Sequence, residues 1–329
     1  GLRARYARTG RLEDLEEARS CYRQACRLAE KASLEVLLTA GRTWGDWAFE
    51  RRAWEEAAQA YAFALQAIER LFQSQFSRPG KASWLQEAQL LPARLAYAHL
   101  RLGNLKQALE SLEAGRARLL GEALERSRRD LERLEAMGQG ALLERYRAAD
   151  AQVQALQRLA ATPNRPADWL AQMEQAQAEW NAVIEEIRRL PGYETFLRSL
   201  TAEQIQAQAA DAPLVYLAAT PQGGFALLVR TQGEPLIVEL PDLTEKALRD
   251  QVEGPGEEWG GYLGAYFRWR ASLRPGTPKT EQESARQAWF DALESTLRWL
   301  GQAVMAPVLG ALETFLPPEG LVRLVPGRL

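Results

Sequence analysis

Few side chains of this chain could perform nucleophilic, redox or metal chemistry: one histidine, His99, and two cysteines, Cys21 and Cys26. A cysteine thiolate and an imidazole can together attack a peptide carbonyl, provided that the two side chains are held against each other. The two cysteines are five residues apart on a predicted helix, which places them about 140° apart around its axis. This spacing matches neither a Cys-x-x-Cys redox pair nor a metal site. We therefore predict packing roles for both cysteines and no metal ion.

His99 lies on a predicted helix beside Tyr97 and Leu100, and the sequence offers no marked nucleophile or carboxylate as its partner. We predict a structural or surface histidine. The glycines of Gly254-Pro-Gly256 and Gly260-Gly261 match neither the dinucleotide fingerprint nor a Walker motif, and no Lys-Ser/Thr pair follows them. We therefore predict a loop at this segment. Since neither nucleotide-binding motif is present, we expect no cofactor.

Composition and charge argue against two classes of partner. The 329 residues carry 41 basic and 43 acidic side chains, a net charge of −2. The first 200 residues hold 30 basic and 27 acidic side chains and the remainder 11 and 16, so neither part has the basic excess that nucleic-acid binding requires. No apolar run reaches the roughly 18–20 residues that span a bilayer.

Two cysteines do not make a disulfide framework, which favours a reducing, cytoplasmic location.

Helical periodicity fills the first two hundred residues, which are rich in Ala, Leu, Glu, Arg and Gln. Two small residues seven positions apart, with a large apolar residue between them, recur in Ala18–Ala25, Ala57–Ala64 and, more weakly, Ala108–Gly115. Small residues at such positions let two helices pack closely. A further small residue, Gly45 or Ala96, stands twelve residues before each of the last two copies.

This pattern resembles the tetratricopeptide (TPR) repeat, a helix–turn–helix unit of about 34 residues. The second copy has the fullest set of signature positions: Trp44, Gly45, Trp54, Ala57, Tyr61 and Ala64. The first residues of the three copies are 39 and 51 positions apart, which implies insertions between the repeats. The alternative is generic antiparallel helix packing. We predict TPR-like repeats over residues 1–120.

Residues 121–200 lose the repeat pattern and predict a long helical hairpin that links to the next domain. Two long charged helices are expected from about Leu119 to Leu190, separated at Thr162–Pro166 because two prolines disfavour helix continuation. The charged run at 126–133 predicts a solvated face with i,i+4 ion pairs. The Leu-Pro-Gly-Tyr sequence at 190–193 ends the second helix.

The pattern changes after Pro213. Leu214–Ala219, Phe225–Val229 and Leu236–Leu240 are short apolar runs joined by glycine-containing turns, which predicts an antiparallel meander. The first run is continuous and suits a strand that is buried on both faces. Leu321–Val325 is the next predicted strand, so residues 211–329 predict an α/β domain.

Two capping boxes predict helices within this domain. Asp242 with Glu245 would open a helix at Leu243, and Thr280 with Glu283 would precede a long helix. The long helix is expected to lie on the sheet through an apolar stripe of Ala285, Trp289, Ala292, Leu293, Leu300 and Val304.

Several segments together resemble bacterial CHAT proteins, which carry caspase-like domains associated with TPRs. The segments that carry the resemblance are Glu113–Leu124, Ile187–Glu194, Pro213–Thr220, Gly223–Val229, Trp299–Val308 and Val322–Gly327. Their order and spacing extend over nearly the whole chain. The resemblance implies an α-helical TPR-like solenoid followed by the N-terminal half of an α/β caspase-like (CHAT) domain.

The resemblance also implies a repeat-regulated cysteine peptidase with a Cys–His dyad. In the family pattern the histidine closely follows a segment similar to Leu324–Leu329, and the cysteine follows the next strand. Both are therefore expected beyond Leu329, no catalytic residue is assigned here, and residues 1–329 alone are expected to be inactive. A sheet interrupted after one interior strand leaves an unpaired apolar edge. We accordingly expect residues 211–329 to expose more apolar surface than the helical region.

The alternative hypothesis is a non-enzymatic TPR scaffold with a degenerate CHAT domain. Under either hypothesis a protein or peptide partner would bind the groove along the first helices of the repeats. The predicted partner-binding residues, called the partner face below, are Thr39, Arg42, Asp46, Glu50, Tyr97 and Arg101.

Overall fold

The computed structural model describes residues 1–74, 90–119, 122–160, 166–194, 196–197, 200–255, 260–317 and 319–325. The chain divides into two units, Gly1–Ala202 and Glu203–Leu329. The first unit is helical, and the second combines helices with a four-stranded sheet. Within the described ranges, no helix is long and apolar enough to cross a membrane.

The first unit consists of helices that follow one another through short connections or through residues outside the described ranges. They are α1 (Leu2–Thr9), α2 (Leu12–Ala32), α3 (Leu34–Glu50), α4 (Trp54–Ser74), α5 (Leu91–Arg101), α6 (Leu105–Leu119), α7 (Glu122–Ala136), α8 (Gly140–Ala160) and α9 (Trp169–Arg188). The predicted helical character of this region is confirmed for the described residues.

Small residues bring α3 and α4 into close contact. A Cβ atom at Gly45 would lie 2.5 Å from Cδ1 and Cε1 of Tyr61, and one at Gly41 would lie 2.8 Å from the backbone nitrogen of Ala64. Tyr61 and Ala64 are fully buried. The same device recurs between α5 and α6, where a Cβ at Gly115 would lie 2.5 Å from Cβ of Pro92. The small residues of the repeated pattern therefore have the packing role that their spacing predicts.

Aromatic rings connect α1 and α2 to α3. Tyr22 of α2 stacks parallel to Trp44, with 6.5 Å between the ring centroids, and Tyr6 of α1 meets Trp47 edge to face at 6.3 Å. Trp44 and Trp47 are buried. Tyr22, the large residue of the first copy of the pattern, thus packs against α3, the next helix, as predicted.

The described residues between 122 and 188 form three helices and not the predicted two. Gly138 adopts a left-handed conformation (φ 77°) between α7 and α8. The backbone nitrogen of Gln139 donates to the carbonyl of Leu134, and that of Gly138 donates to Glu135, which is a Schellman motif that ends α7. The prediction missed this glycine because the charged helical pattern continues across it. The predicted break at 162–166 falls largely outside the described residues.

The segment after α9 folds back onto the helices. α9 ends at Arg188, in agreement with the predicted proline–glycine stop. Tyr193 and Phe196 are buried in a core cluster with Leu134 and Ile187, and the Tyr193 hydroxyl donates to the carbonyl of Asp130 at 2.8 Å. This segment belongs to the core of the first unit.

The sheet of the second unit contains β1 (Leu214–Thr220), β2 (Gly223–Val229), β3 (Leu236–Leu240) and β4 (Arg323–Val325) in the order β3-β2-β1-β4. β1 pairs antiparallel with β2, and β2 pairs antiparallel with β3, so the predicted meander is confirmed. β4 lies parallel to β1 on its other side, with Arg323 opposite Leu214. β2 is buried along its whole length, as is almost all of β1.

Helices α10 (Ala202–Ala207), α11 (Glu245–Val252), α12 (Tyr262–Ser272), α13 (Lys279–Leu300) and α14 (Ala306–Leu312) accompany the sheet. Val304 and Val308 pack with Val215 and Leu228 of the sheet in one buried cluster. A π-helical turn at Gly301–Met305 connects α13 to α14. Pro307, which has no N–H to donate to the preceding turn, is the second residue after it.

Both predicted capping boxes are wrong. α11 begins after Thr244, whose side chain accepts a hydrogen bond from the backbone nitrogen of Ala247. Thr244 takes the capping position because Leu243 is buried in the sheet core and holds the preceding residues outside the helix. α13 begins directly after Pro278, so Thr280 lies inside the helix and caps nothing.

The apolar stripe of α13 lies only partly on the sheet. Leu300 and Val304 join the sheet core, as predicted. Trp289 instead stacks on Trp269 of α12, with ring centroids 4.5 Å apart and an interplanar angle of 7°. The amino-terminal part of α13 therefore packs with α12 as a helical hairpin, and Phe290 on its flank stays exposed.

Exposed large hydrophobic side chains are more frequent in the second unit. Among the described residues, nine of fifteen belong to it, although it is the shorter of the two units. Those nine are Leu236, Phe267, Leu273, Phe290, Leu297, Met305, Leu309, Leu321 and Leu324. This distribution agrees with the expectation for residues 211–329.

Candidate partner-binding face

The partner face lies on α3 and α5, the first helices of two successive hairpins. Side chains tie these helices to their neighbours: Arg3 of α1 pairs with Glu50 at 3.0 Å, and Arg94 of α5 pairs with Asp46 at 2.7 Å. A row of charged contacts therefore runs from α1 across α3 to α5.

Asp46 links the face to the packing beneath it. Its Oδ1 accepts hydrogen bonds from the Tyr61 hydroxyl and from Nη1 of Arg94, each at 2.7 Å. Burial and the nearby Asp46 carboxylate raise the pKa of Tyr61, which keeps the phenol protonated and donating. Because Tyr61 also fills the space beside Gly45, the position of Asp46 depends on the close approach of α3 and α4.

Tyr97 is a packing residue. Only 6% of it is exposed, and its ring contacts Phe49 at 5.5 Å and Trp54 at 5.6 Å between centroids. Nη2 of Arg101 donates to the Tyr97 hydroxyl at 2.9 Å, and the guanidinium carbon lies 5.0 Å from the ring centroid. Arg101 is itself exposed, so a partner approaching this point would meet the guanidinium and not the ring.

The accessible groups of the partner face are polar and mixed in charge. Thr39 and Glu50 are exposed, Arg42 is half-buried, and Arg101 is exposed at the end of α5. Two guanidinium groups and two carboxylates, counting Asp46, leave the six-residue set without net charge. The face therefore presents both signs of charge without an excess of either.

A buried carboxylate next to this face escaped the sequence analysis. Glu56 of α4 is buried and accepts three hydrogen bonds of 2.7 Å, from Nε1 of Trp44, Nη2 of Arg51 and Nε of Arg19. Burial opposes ionisation of this carboxyl, but the three donors outweigh it and hold the pKa of Glu56 below its usual range. The sequence contained one indication of this role: Glu56 directly precedes Ala57, an anchor of the repeated pattern.

The residues that could support Cys–His chemistry are not arranged for it. Burial raises the pKa of the Cys26 thiol to about 11, which disfavours a thiolate, and Cys21 is exposed on the same helix. Nδ1 of His99 is buried and has no hydrogen-bond partner in the described part of the chain. Within that part, no group of three or more His, Cys, Asp or Glu side chains could hold a metal ion.

The imidazole of His99 is expected to titrate below the ordinary histidine pKa because its burial disfavours the charged form. A group with a lowered pKa in the folded state makes the unfolded state bind more protons, so folding stability falls as the pH drops through about 6.5. The chain has one histidine, so its imidazole Cε1–H resonance in a proton NMR titration needs no assignment. The same titration in denaturing urea supplies the reference value. A folded-state midpoint at or above that reference would contradict the prediction.

No protein-family model, curated protein or solved structure matches this chain.

Proposed function

We propose that this chain is the N-terminal portion of a TPR-regulated, caspase-like cysteine peptidase of the CHAT type, with residues 1–120 as its partner-binding regulatory module. The observation that supports this most directly is the sheet of the second unit. An antiparallel meander is extended on the far side of β1 by a strand that runs parallel to it, β4. A caspase-like sheet is predominantly parallel, and in the proposal β4 is the strand from which its parallel part continues.

The proposal assigns the peptidase chemistry to residues after Leu329 in the full-length protein. There a cysteine thiolate would attack the peptide carbonyl, and an imidazole would accept and return the proton. Residues 203–329 contain neither histidine nor cysteine, so this unit would supply the meander, the packing helices and part of the substrate cleft. The helical hairpins would bind a protein partner and change the activity of the catalytic domain.

The proposed location is the bacterial cytoplasm. Both cysteines are free thiols, one exposed and one buried, which suits a reducing compartment. No cofactor, nucleic acid or membrane enters the proposed mechanism, and the proposed partner is a protein or peptide on the partner face.

A peptidase assay tests this division of roles. The chain 1–329 and a version extended by its natural downstream codons would be compared on a mixture of fluorogenic peptides. The proposal expects no cleavage by residues 1–329. It expects the longer protein to cleave the peptides. This cleavage should be lost when the cysteine encoded after Leu329 is changed to alanine. The matched control is the 1–329 chain with Cys21→Ser and Cys26→Ser, since cleavage that these changes abolish would place the activity within this chain and overturn the division.

The second candidate function is a scaffold without peptidase activity. The favouring observation is the row of interlinked side chains on α1, α3 and α5, which presents an ordered polar surface without any catalytic grouping. An extended gene that lacks either the histidine or the cysteine would exclude the peptidase and leave this function.

Partner binding is tested with substitutions that spare the core. Arg42→Ala and Arg101→Ala remove accessible groups, whereas Tyr97→Ala would disrupt packing with Phe49 and Trp54. Tyr97→Phe is the suitable third variant because it keeps the ring and removes only the hydroxyl. Unchanged partners in pull-downs with all three variants would argue against a role for this face.

A further inference from the structure

β3 forms one edge of the sheet in the second unit. β2 pairs with one side of it, and no strand pairs with its other side in the described part of the chain. Among the described residues, Leu236, Ile237 and Val238 make no backbone hydrogen bond outside the pairing with β2. β3 is also more accessible than its neighbour, since Leu236 is 38% exposed and Glu239 is exposed, whereas β2 is buried throughout. The outer side of β3, called the β3 edge below, therefore offers backbone groups to another extended segment.

The charges along the β3 edge have one sign. Residues 231–245 contain four acidic residues and no basic one. Glu234 stands two positions before the strand and Asp242 two positions after it; both are exposed, and neither carboxylate makes a hydrogen bond or ion pair with a described residue. Glu239 lies between them, within the strand. An extended segment that pairs along the whole strand passes both of its ends and meets a carboxylate at each.

The basic residues nearest to β3 in the sequence are engaged elsewhere. The guanidinium carbon of Arg230 lies 4.9 Å from the ring centroid of Phe315, and Lys246 pairs with Asp250. Neither cation forms an ion pair with a described carboxylate at the ends of β3. The β3 edge therefore stays acidic, and a basic segment complements it.

A second copy of this chain is a poor occupant of the β3 edge. Two β3 strands paired antiparallel about a two-fold axis at Val238 would place Glu234 of each copy opposite Asp242 of the other. Like charges directly opposite each other destabilise a strand pair. In any other register each copy still brings carboxylates alone, and the same charges repel a nucleic acid. The charge of the edge therefore selects a basic peptide.

We propose that the β3 edge binds an extended peptide segment of another protein as an added strand, with basic side chains at both ends of a short apolar stretch. Main-chain hydrogen bonds to β3 supply affinity, and the side chains supply specificity. Basic residues just beyond the paired stretch meet Glu234 and Asp242. The inference does not depend on the proposed peptidase function, and it concerns the second unit, whereas the partner face belongs to the first.

Leu236 explains why the middle of the peptide is apolar. Side chains alternate along a strand, so Leu236 shares its face of the sheet with Val238 and Leu240. Leu240 is part of the sheet core and Val238 packs against it, but Leu236 stays 38% exposed. An apolar side chain of the added strand beside Leu236 would cover it and continue the apolar face.

Fluorescence anisotropy of a labelled peptide, Lys-Lys-Val-Thr-Val-Thr-Val-Lys-Lys, tests the proposal with the chain 1–329. The double variant Glu234→Lys, Asp242→Lys should raise the dissociation constant at least about tenfold, because like charges then meet the peptide. The matched control, Glu283→Lys with Glu313→Lys, reverses two other exposed carboxylates of the second unit that have no partner among the described residues, and it should leave the constant unchanged. A peptide with glutamates in place of the lysines should bind the double variant and not the wild-type chain.

Changes to the peptide backbone separate strand addition from charge attraction. The same peptide with N-methyl groups on its central amides keeps its charges but loses those hydrogen-bond donors, so its dissociation constant should rise at least about tenfold. Hydrogen–deuterium exchange of residues 234–242 should slow when the unmodified peptide is added, because the outward amides of β3 then gain acceptors.

Any of four results would overturn the proposal. The first is no binding of the basic peptide at concentrations up to about 1 mM, and the second is equal binding by the double variant and its control. The third is a methylated peptide that binds as tightly as the unmodified one. The fourth is protection of residues 234–242 that rises with protein concentration in the absence of peptide, which would assign the β3 edge to a second copy of the chain.

Discussion

Replacing Glu56 with alanine is expected to destabilise the helical unit by about 3–5 kcal/mol, the usual cost of removing one partner from a buried ion pair. The carboxylate joins three helices: it accepts from Arg19 of α2, from Trp44 of α3 and from Arg51, which follows α3, while Glu56 itself belongs to α4. Without it, the Trp44 N–H is left buried without an acceptor. The side chains of Arg19 and Arg51 are themselves 29% and 17% exposed, so water only partly replaces what they lose.

Hydrogen–deuterium exchange of the full chain measures this effect in the peptides of α2, α3 and α4. Since about 1.4 kcal/mol corresponds to a factor of ten, the protected amides should exchange about 10²- to 10⁴-fold faster in the variant. Glu55→Ala is the matched control, because the adjacent carboxylate is exposed and its loss should change stability by less than about 0.5 kcal/mol. Equal protection in the two variants would mean that the Glu56 contacts contribute nothing measurable.

The Glu56 contribution also has a defined pH dependence. Its donors lower the pKa of the folded-state carboxyl, so the stabilisation is complete above the ordinary glutamate pKa and is lost as the pH falls through the lowered folded-state value. Protonation of His99 also lowers folding stability as the pH falls, but at a higher pH, near the ordinary histidine pKa. Acidification should therefore weaken the helical unit in two steps, the first near neutral pH and the second in the acidic range.

Periodicity predicted the elements of this chain more reliably than the contacts between them. The small-large-small pattern of α4 placed Ala57, Tyr61 and Ala64 in the core because a residue seven positions on returns to nearly the same helix face. The three apolar runs after Pro213 became β1, β2 and β3 because glycine-containing turns separate them and short apolar runs suit the strands of a buried sheet. Both results depend on local geometry, which the sequence carries directly.

Spacing was less informative where residues distant in the sequence determine the environment of a side chain. Tyr97 has the spacing of a groove residue, yet it is buried because Phe49 and Trp54 on other helices close over it. Asp242 has the spacing of a capping box, yet Leu243 is held in the sheet core and Thr244 becomes the cap. The Glu56 network combines residues of three helices whose order in space no local pattern records. Such contacts depend on the tertiary arrangement, which a single sequence does not specify by spacing alone.

Replacing Gly45 with alanine is expected to destabilise the chain by about 1–3 kcal/mol, although alanine is the better helix former. The added Cβ would lie 2.5 Å from two ring atoms of Tyr61, which is fully buried. Gly310→Ala is the matched control, because Gly310 also lies in a helix and a Cβ there meets nothing within 4 Å. That change should stabilise α14 by up to about 1 kcal/mol, so two identical substitutions should have opposite signs.

A double-mutant cycle separates the clash at Gly45 from a general loss of packing. Tyr61→Leu removes the ring that the new methyl group would strike, so it should cost less in the Gly45→Ala background than in the wild-type chain. Tyr61→Phe keeps the ring and removes only the hydrogen bond to Asp46, so its cost should be about the same in both backgrounds. Urea denaturation and exchange of the α3 and α4 amides provide the free energies. An additive cycle for Tyr61→Leu would show that α3 and α4 can separate without loss, and the small residue at position 45 would then not set the distance between them. A positive coupling would show that this glycine sets the distance between α4 and α3, the helix that carries Asp46 and most of the partner face.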